Sequence, residues 1–97
     1  MRINEYEKEV IVKAVQAVDP RAKIWLFGSR VDDDKKGGDI DIAILSDVIA
    51  QDILQKIKVR REICDKIGEQ KIDILTSKSG EEPFFKLAQA SGKALDE

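Results

Sequence analysis

The sequence predicts a small single-domain α/β fold. Its elements follow an α-β-α-β-α order, the first β segment being a doubled-back pair of strands. The result is a three-stranded mixed sheet, strand order 1-2-3, with the helices packed on one face. Three observations predict this. Apolar residues recur at helical spacing in three segments, shorter segments alternate at the period of a strand, and Gly, Pro and Asp stand at the joints between them. The 97 residues carry one modest core, so residues 1–97 read as one domain.

Asn4 followed by Glu7 resembles a capping box, in which side chain and backbone satisfy each other at a helix start. Tyr6, Val10, Ile11, Ala14, Ala17 and Val18 then recur at helical spacing until Asp19-Pro20 stops the helix. Ile24 to Phe27 is a short apolar strand. Asp39 to Leu45 alternates, with Ile40, Ile42 and Ile44 on one face and Asp39, Asp41 and Ala43 on the other. Ser46 or Asp47 can cap the next helix, whose inner stripe is Ala50, Ile53, Leu54, Ile57, Arg61, Cys64 and Ile67. Gly68 suits the positive-φ position just past its end. Lys71 to Thr76 is a third strand, with Asp73 opposite Ile72 and Ile74. A last helix starts near Glu81-Glu82-Pro83 and ends at Gly92.

Composition removes several classes of function. Seventeen basic against nineteen acidic residues leave a net charge of -2, without the basic excess of a general nucleic-acid binder. No apolar run approaches the ~20 residues of a membrane span, and no signal-peptide pattern is visible, so the expectation is a cytoplasmic protein. Cys64 has no second cysteine to pair with and falls on an apolar helical face, which reads as a buried, inert thiol. With no histidine in the chain, acid–base chemistry falls to carboxylates, lysines or metal-bound water.

The carboxylates are the informative feature. Residues two apart on a strand project the same way, with Cα atoms roughly 6.5–7 Å apart, so Asp39 and Asp41 share a face opposite the isoleucines. A helical crossover returns the third strand parallel and adjacent, which brings Asp73 level with them. An Asp-x-Asp on a half-exposed strand is often only the polar side of an alternating pattern. Asp is nevertheless a poor strand former, and three converging carboxylates repel one another unless a cation, water or a shared proton intervenes. Mg²⁺ suits such a set, because it takes a few carboxylates and completes its shell with water and phosphate oxygens.

Gly28-Ser29 supplies the other half. Glycine after a strand permits a sharp turn and close approach to a ligand. Ser29 adds a hydroxyl, and the amides that follow can bind phosphate oxygens. Nine residues separate Ser29 from Asp39. If that segment doubles back, phosphate cradle and metal carboxylates sit side by side, as a nucleoside triphosphate with Mg²⁺ requires. The P-loop pattern, a glycine-rich loop ending in Gly-Lys-Ser/Thr, is absent.

"LFGSR", a nine-residue spacer, "DIDIAIL" and, after a helix, "KIDIL" together resemble the polymerase-beta-type nucleotidyltransferase superfamily. Its pattern is hydrophobic-Gly-Ser, a spacer, Asp-hydrophobic-Asp-hydrophobic and a later isolated Asp on a strand. The combination is far more specific than any piece, and the resemblance spans nearly the whole chain. The length is similar to that of the minimal nucleotidyltransferases, which are typically encoded beside small helical HEPN-domain proteins as antitoxin and toxin. The resemblance implies that Gly28, Ser29 and Arg30 hold the triphosphate. It implies that Asp39 and Asp41 bind metal, and that Asp73 joins them and helps deprotonate the attacking hydroxyl. It further implies two Mg²⁺ ions and ATP or another nucleoside triphosphate as substrate. The sequence departs from many relatives after Ser29. Where they read Arg-Ala-Arg-Gly, this chain reads Arg30-Val31-Asp32-Asp33-Asp34, with Lys35 and Lys36 following and Gly38 where a serine often stands.

The expected function is therefore transfer of a nucleoside monophosphate, AMP from ATP, to a hydroxyl of a protein partner, as antitoxin to a HEPN-domain toxin. Two alternatives stay open: a non-catalytic antitoxin that acts by binding, and nucleotide transfer to a small molecule. Lys56, Lys58, Arg60 and Arg61 form a basic cluster on the middle helix, for which a solvated face is the simpler account. Phe84 and Phe85 are adjacent, so one is expected in the core and the other available to a partner. Trp25 sits beside the site, with packing the simpler role and base stacking the other.

Overall fold

The computed structural model describes residues 3–28 and 40–96. Ser29, Arg30 and Asp39, together with the acidic run Asp32 to Asp34, lie outside the described residues. Helix α1 spans Glu5–Val18. The capping box forms: the Asn4 carboxamide accepts from the Glu7 amide at 2.7 Å, and the Glu7 carboxylate accepts from the Asn4 amide at 3.0 Å. Its buried residues are Val10, Ile11, Ala14 and Val15. The stripe thus lies slightly round from the expected one. Tyr6 and Ala17 are exposed, and the Tyr6 hydroxyl donates to the Lys66 carbonyl instead of entering the core.

Strands β1 (Lys23–Phe27) and β2 (Ile40–Leu45) pair antiparallel, and β3 (Ile72–Ser77) lies parallel to β2. Between β2 and β3 the structure corrects the single predicted helix. Two helices are present, α2 (Asp47–Gln51) and α3 (Ile53–Ile67). Asp52 between them is extended, and its carboxylate accepts from the Leu54 amide at 2.9 Å. An aspartate that caps the following turn competes with continuation of the preceding helix. The break also re-aims α3. Val59 and Ile63 are its buried residues, with Cys64 and Ile67 flanking them. Ile53 and Leu54, placed in the core stripe from sequence, are 69% and 67% exposed, and Ile57 and Arg61 also face outward.

Ser46 joins β2 to α2 and is buried. Its hydroxyl accepts from the Ile49 amide at 3.1 Å and donates to the Asp19 carboxylate at 2.7 Å, tying the start of α2 to the end of α1. Ser46→Ala is expected to cost about 0.5–2 kcal/mol, the range for a lost helix cap, read as a lower urea midpoint at unchanged slope.

Helix α4 (Pro83–Ser91) begins with Pro at its first turn and is followed by Gly92, as expected. Its position is a second correction. The isoleucine face of the sheet packs against α1 to α3, through Ile24, Leu26, Ile40, Ile42, Ile44, Ile72 and Ile74. Helix α4 covers the opposite face, where Phe85 and Ala88 pack on Ala43 with Trp25, Phe27, Leu45 and Leu75 around them. Helices therefore lie on both faces. The cause is legible in the strands: their alternate residues include two aromatics and two leucines, too much apolar area to leave in water.

Among the described residues the sheet has four strands, not three, in the order β3-β2-β1-β4. Strand β4 (Lys93–Ala94) pairs antiparallel with β1, and the Leu95 amide adds a bond to the Ile24 carbonyl at 2.8 Å. Two residues carry no alternation that sequence periodicity can register. Gly92 makes the approach possible, since a Cβ there would sit 2.5 Å from the Leu26 carbonyl oxygen and 2.7 Å from that of Ala88.

Candidate active site

Parallel pairing of β2 with β3 sets Asp41 directly against Asp73, and Ile40 and Ile42 against Ile72 and Ile74. Partners in register on adjacent strands point to the same face, so the two carboxylates are neighbours on the side away from the isoleucine core, with their strands about 4.8 Å apart. Asp41 is half-buried and Asp73 exposed. Helix α4 covers this face over Ala43, so it is not open throughout as the sequence suggested; the carboxylates lie at the end where β2 and β3 begin.

Antiparallel pairing of β1 with β2 places Phe27 opposite Asp41. Gly28, the next residue, therefore leaves the sheet beside that carboxylate. Its φ is +75°, in the region that favours glycine. A Cβ on Gly28 would overlap an Asp41 carboxylate oxygen, closer than the sum of their van der Waals radii, and would lie 3.2 Å from the carbon that bears it. Two constraints meet at one residue: the backbone turns where a side chain is disfavoured, and it passes within touching distance of an acid. Gly28→Ala is expected to cost about 1–2 kcal/mol for the left-handed backbone alone and to displace Asp41. A urea titration together with an activity assay separates the two losses.

The structure thus brings together Gly28, Asp41 and Asp73. Ser29, Arg30 and Asp39, assigned to the same site from sequence, fall outside the described residues. Among the described residues no group of three or more His, Cys, Asp or Glu is placed to hold a metal. The donors that are described fit a hard divalent cation in kind, being carboxylate oxygens on one face, next to a glycine whose missing side chain leaves room at Asp41.

Other features singled out from sequence resolve simply. Trp25 packs edge-on against Phe85, ring centroids 5.9 Å apart, the packing role. Phe85 is in the core and Phe84 is exposed. The basic residues of α3 do not act as one cluster: Arg60 donates to the Ile72 carbonyl at 3.1 Å, whereas Lys58 lines the groove between α1 and α3. Cys64 is half-buried, its thiol directed at the Gln70 carbonyl. At the other end of the sheet, Ser77 is buried, accepts from the Gly80 amide and donates to Glu82, which holds the Glu82 carboxyl below its ordinary range. Sequence reasoning missed one neighbour of the site. Phe27, on the carboxylates' face, meets Phe84 of α4 with ring centroids 6.5 Å apart. The alternation of Trp25 and Phe27 on that face was the available signal.

Among the described residues no helix is long and apolar enough to cross a membrane. None of the curated proteins compared with the chain matches it. Residues 9–97 match the family model described as polymerase beta, nucleotidyltransferase. The match takes in Gly28, Asp41 and Asp73 and every strand of the sheet, and the chain belongs to the polymerase-beta nucleotidyltransferase family.

Proposed function

We propose that the chain is a minimal nucleotidyltransferase that moves AMP from ATP to a hydroxyl on a protein partner, in the cytoplasm, as antitoxin to a HEPN-domain toxin. Family membership supports nucleotidyl transfer, and with it a nucleoside triphosphate and a divalent metal. The observation that carries the reading to particular residues is the register of Asp41 with Asp73 beside Gly28. Asp39, Asp41 and Asp73 would hold Mg²⁺, two ions in all, which when bound supplies positive charge to the triphosphate. Gly28 lets the backbone run close to the phosphates, and Ser29 and Arg30 follow it in sequence as further donors to their oxygens. Asp73, the exposed member of the pair, would take the proton of an incoming hydroxyl. A protein acceptor is supported by the net charge of -2, which disfavours a nucleic-acid one.

One observation favours a second reading. Asp32, Asp33 and Asp34 stand close in sequence to the phosphate-binding pair, where negative charge opposes triphosphate binding. That suits an antitoxin that neutralises its partner by binding alone.

The test uses ATP labelled at the α-phosphate, Mg²⁺, the purified chain and a HEPN-domain partner. Label is expected on the partner from α-labelled ATP, none from γ-labelled ATP, and none without a divalent metal. A wild-type chain that protects cells from the partner and leaves it unlabelled establishes the binding-only reading.

A further inference from the structure

The carboxylates' face carries an aromatic pair for which the phosphate chemistry has no use. Phe84, in the first turn of α4, is 61% exposed. Its neighbour Phe85 is 1% exposed and fills the core against Ala43, so Phe84 is presented by an anchored helix. The Phe84 ring meets Phe27 nearly edge-on, with an interplanar angle of 80°. That contact fixes the ring plane and leaves the rest of the ring to solvent.

Location gives the pair its meaning. Phe27 is the register partner of Asp41 and the residue before Gly28. Directly opposed residues of an antiparallel pair have Cα atoms about 4.5–5.5 Å apart. The exposed ring therefore lies one ring contact from the residue that faces Asp41 across the strand pair. A single exposed phenylalanine needs no explanation. One that is braced by a second aromatic, itself facing a carboxylate of the nucleotide site, does.

We propose that Phe84 is the stacking platform for the base of the nucleoside triphosphate. The proposal rests on the nucleotidyl-transfer reading above and deepens it. Phenylalanine offers a π-face and no hydrogen-bonding group, so it registers the size of a base and not the pattern on its edge. The platform favours purine over pyrimidine triphosphates and contributes little to the choice between adenine and guanine.

Equilibrium binding of ATP, UTP and inorganic tripolyphosphate, each with Mg²⁺, to the wild-type chain and to Phe84→Ala and Phe84→Trp tests this. Phe84→Ala is expected to weaken ATP roughly five- to 150-fold, the range for a lost base–aromatic stack. UTP should weaken less and tripolyphosphate not at all, and Phe84→Trp should keep ATP affinity. ATP binding unchanged in Phe84→Ala, or a wild-type chain that binds ATP no better than tripolyphosphate, overturns the platform and leaves the transfer reading standing. Loss of partner binding with ATP affinity intact overturns it in favour of a protein-docking role for Phe84. A wild-type chain that binds none of the three ligands removes the nucleotide site itself, and the platform with it.

Discussion

Asp41→Asn combined with Asp39→Asn is expected to reduce nucleotidyl transfer by at least ~10³-fold, the scale on which losing charge stabilisation at a reacting centre is felt. Asn matches Asp in size and keeps one carbonyl oxygen, but gives up the charge that draws a divalent cation. Asp41 is half-buried beside Asp73, so the substitution removes one member of a like-charged pair and relieves repulsion. A native circular-dichroism spectrum and a urea midpoint no lower than that of the wild type would show that the fold survives. Partner binding should persist as well, measured by co-purification, because exposed apolar residues away from the carboxylates, such as Ile53 and Leu54, are untouched. Under the transfer reading, protection of cells disappears with the label. A double variant that still protects in full would sink modification as the mode of action. Should the wild-type chain itself transfer nothing, replacing Asp32 to Asp34 by Ala-Arg-Gly tests whether the acidic run is the cause.

Phe85→Ala is expected to destabilise the domain by about 3–5 kcal/mol, the cost of deleting a buried aromatic. Phe85 anchors the smaller core under α4, where it meets Trp25 edge-on and packs on Ala43 and Ala88. Marginally stable domains hold only ~5–15 kcal/mol in all, and 97 residues place this one toward the lower end. The variant should therefore be largely unfolded at moderate urea, where the wild type is native. Phe84→Ala, one residue away, should cost only about 1 kcal/mol, the worth of its edge-on contact with Phe27. Similar losses for both would show that α4 does not seat on the sheet through Phe85. The contrast also guards the binding experiment, since a folded Phe84→Ala protein loses ATP affinity for a reason other than unfolding.

Much of this architecture is written locally and can be read locally. The Asn4–Glu7 box, the Ile-rich alternation of β2 and the Pro83 to Gly92 frame of α4 each lie within a few residues of the contacts they predict. The pairing of Asp41 with Asp73 was legible for a different reason. A helical crossover admits a parallel return, and the position of each Asp near its strand start then sets them level. What was missed depends on partners distant in sequence. Ile53, Leu54 and Ile57 have the spacing of a core stripe, yet the sheet and α1 receive Val59 and Ile63, because Asp52 interrupts the helix and changes the face it presents. Trp25, Phe27, Leu45 and Leu75 signal that the second face is covered, but that α4 is what covers it depends on a segment distant in sequence from β1 and β2. The meeting of Phe27 with Phe84 has no short-range signature at all.

Strand β4 has a consequence for synthesis. The free edge of β1 is completed by residues 93–95, which pair with Ile24, Trp25 and Leu26 and are made after β1, β2 and β3. As the chain emerges, β1, β2 and β3 can come together while that edge still offers its amides and carbonyls to any neighbour. An unpaired strand edge is a template for association between chains. Residues 93–95 therefore act as a latch: by pairing with β1 they close the nascent sheet and end the interval in which two growing copies can join edge to edge.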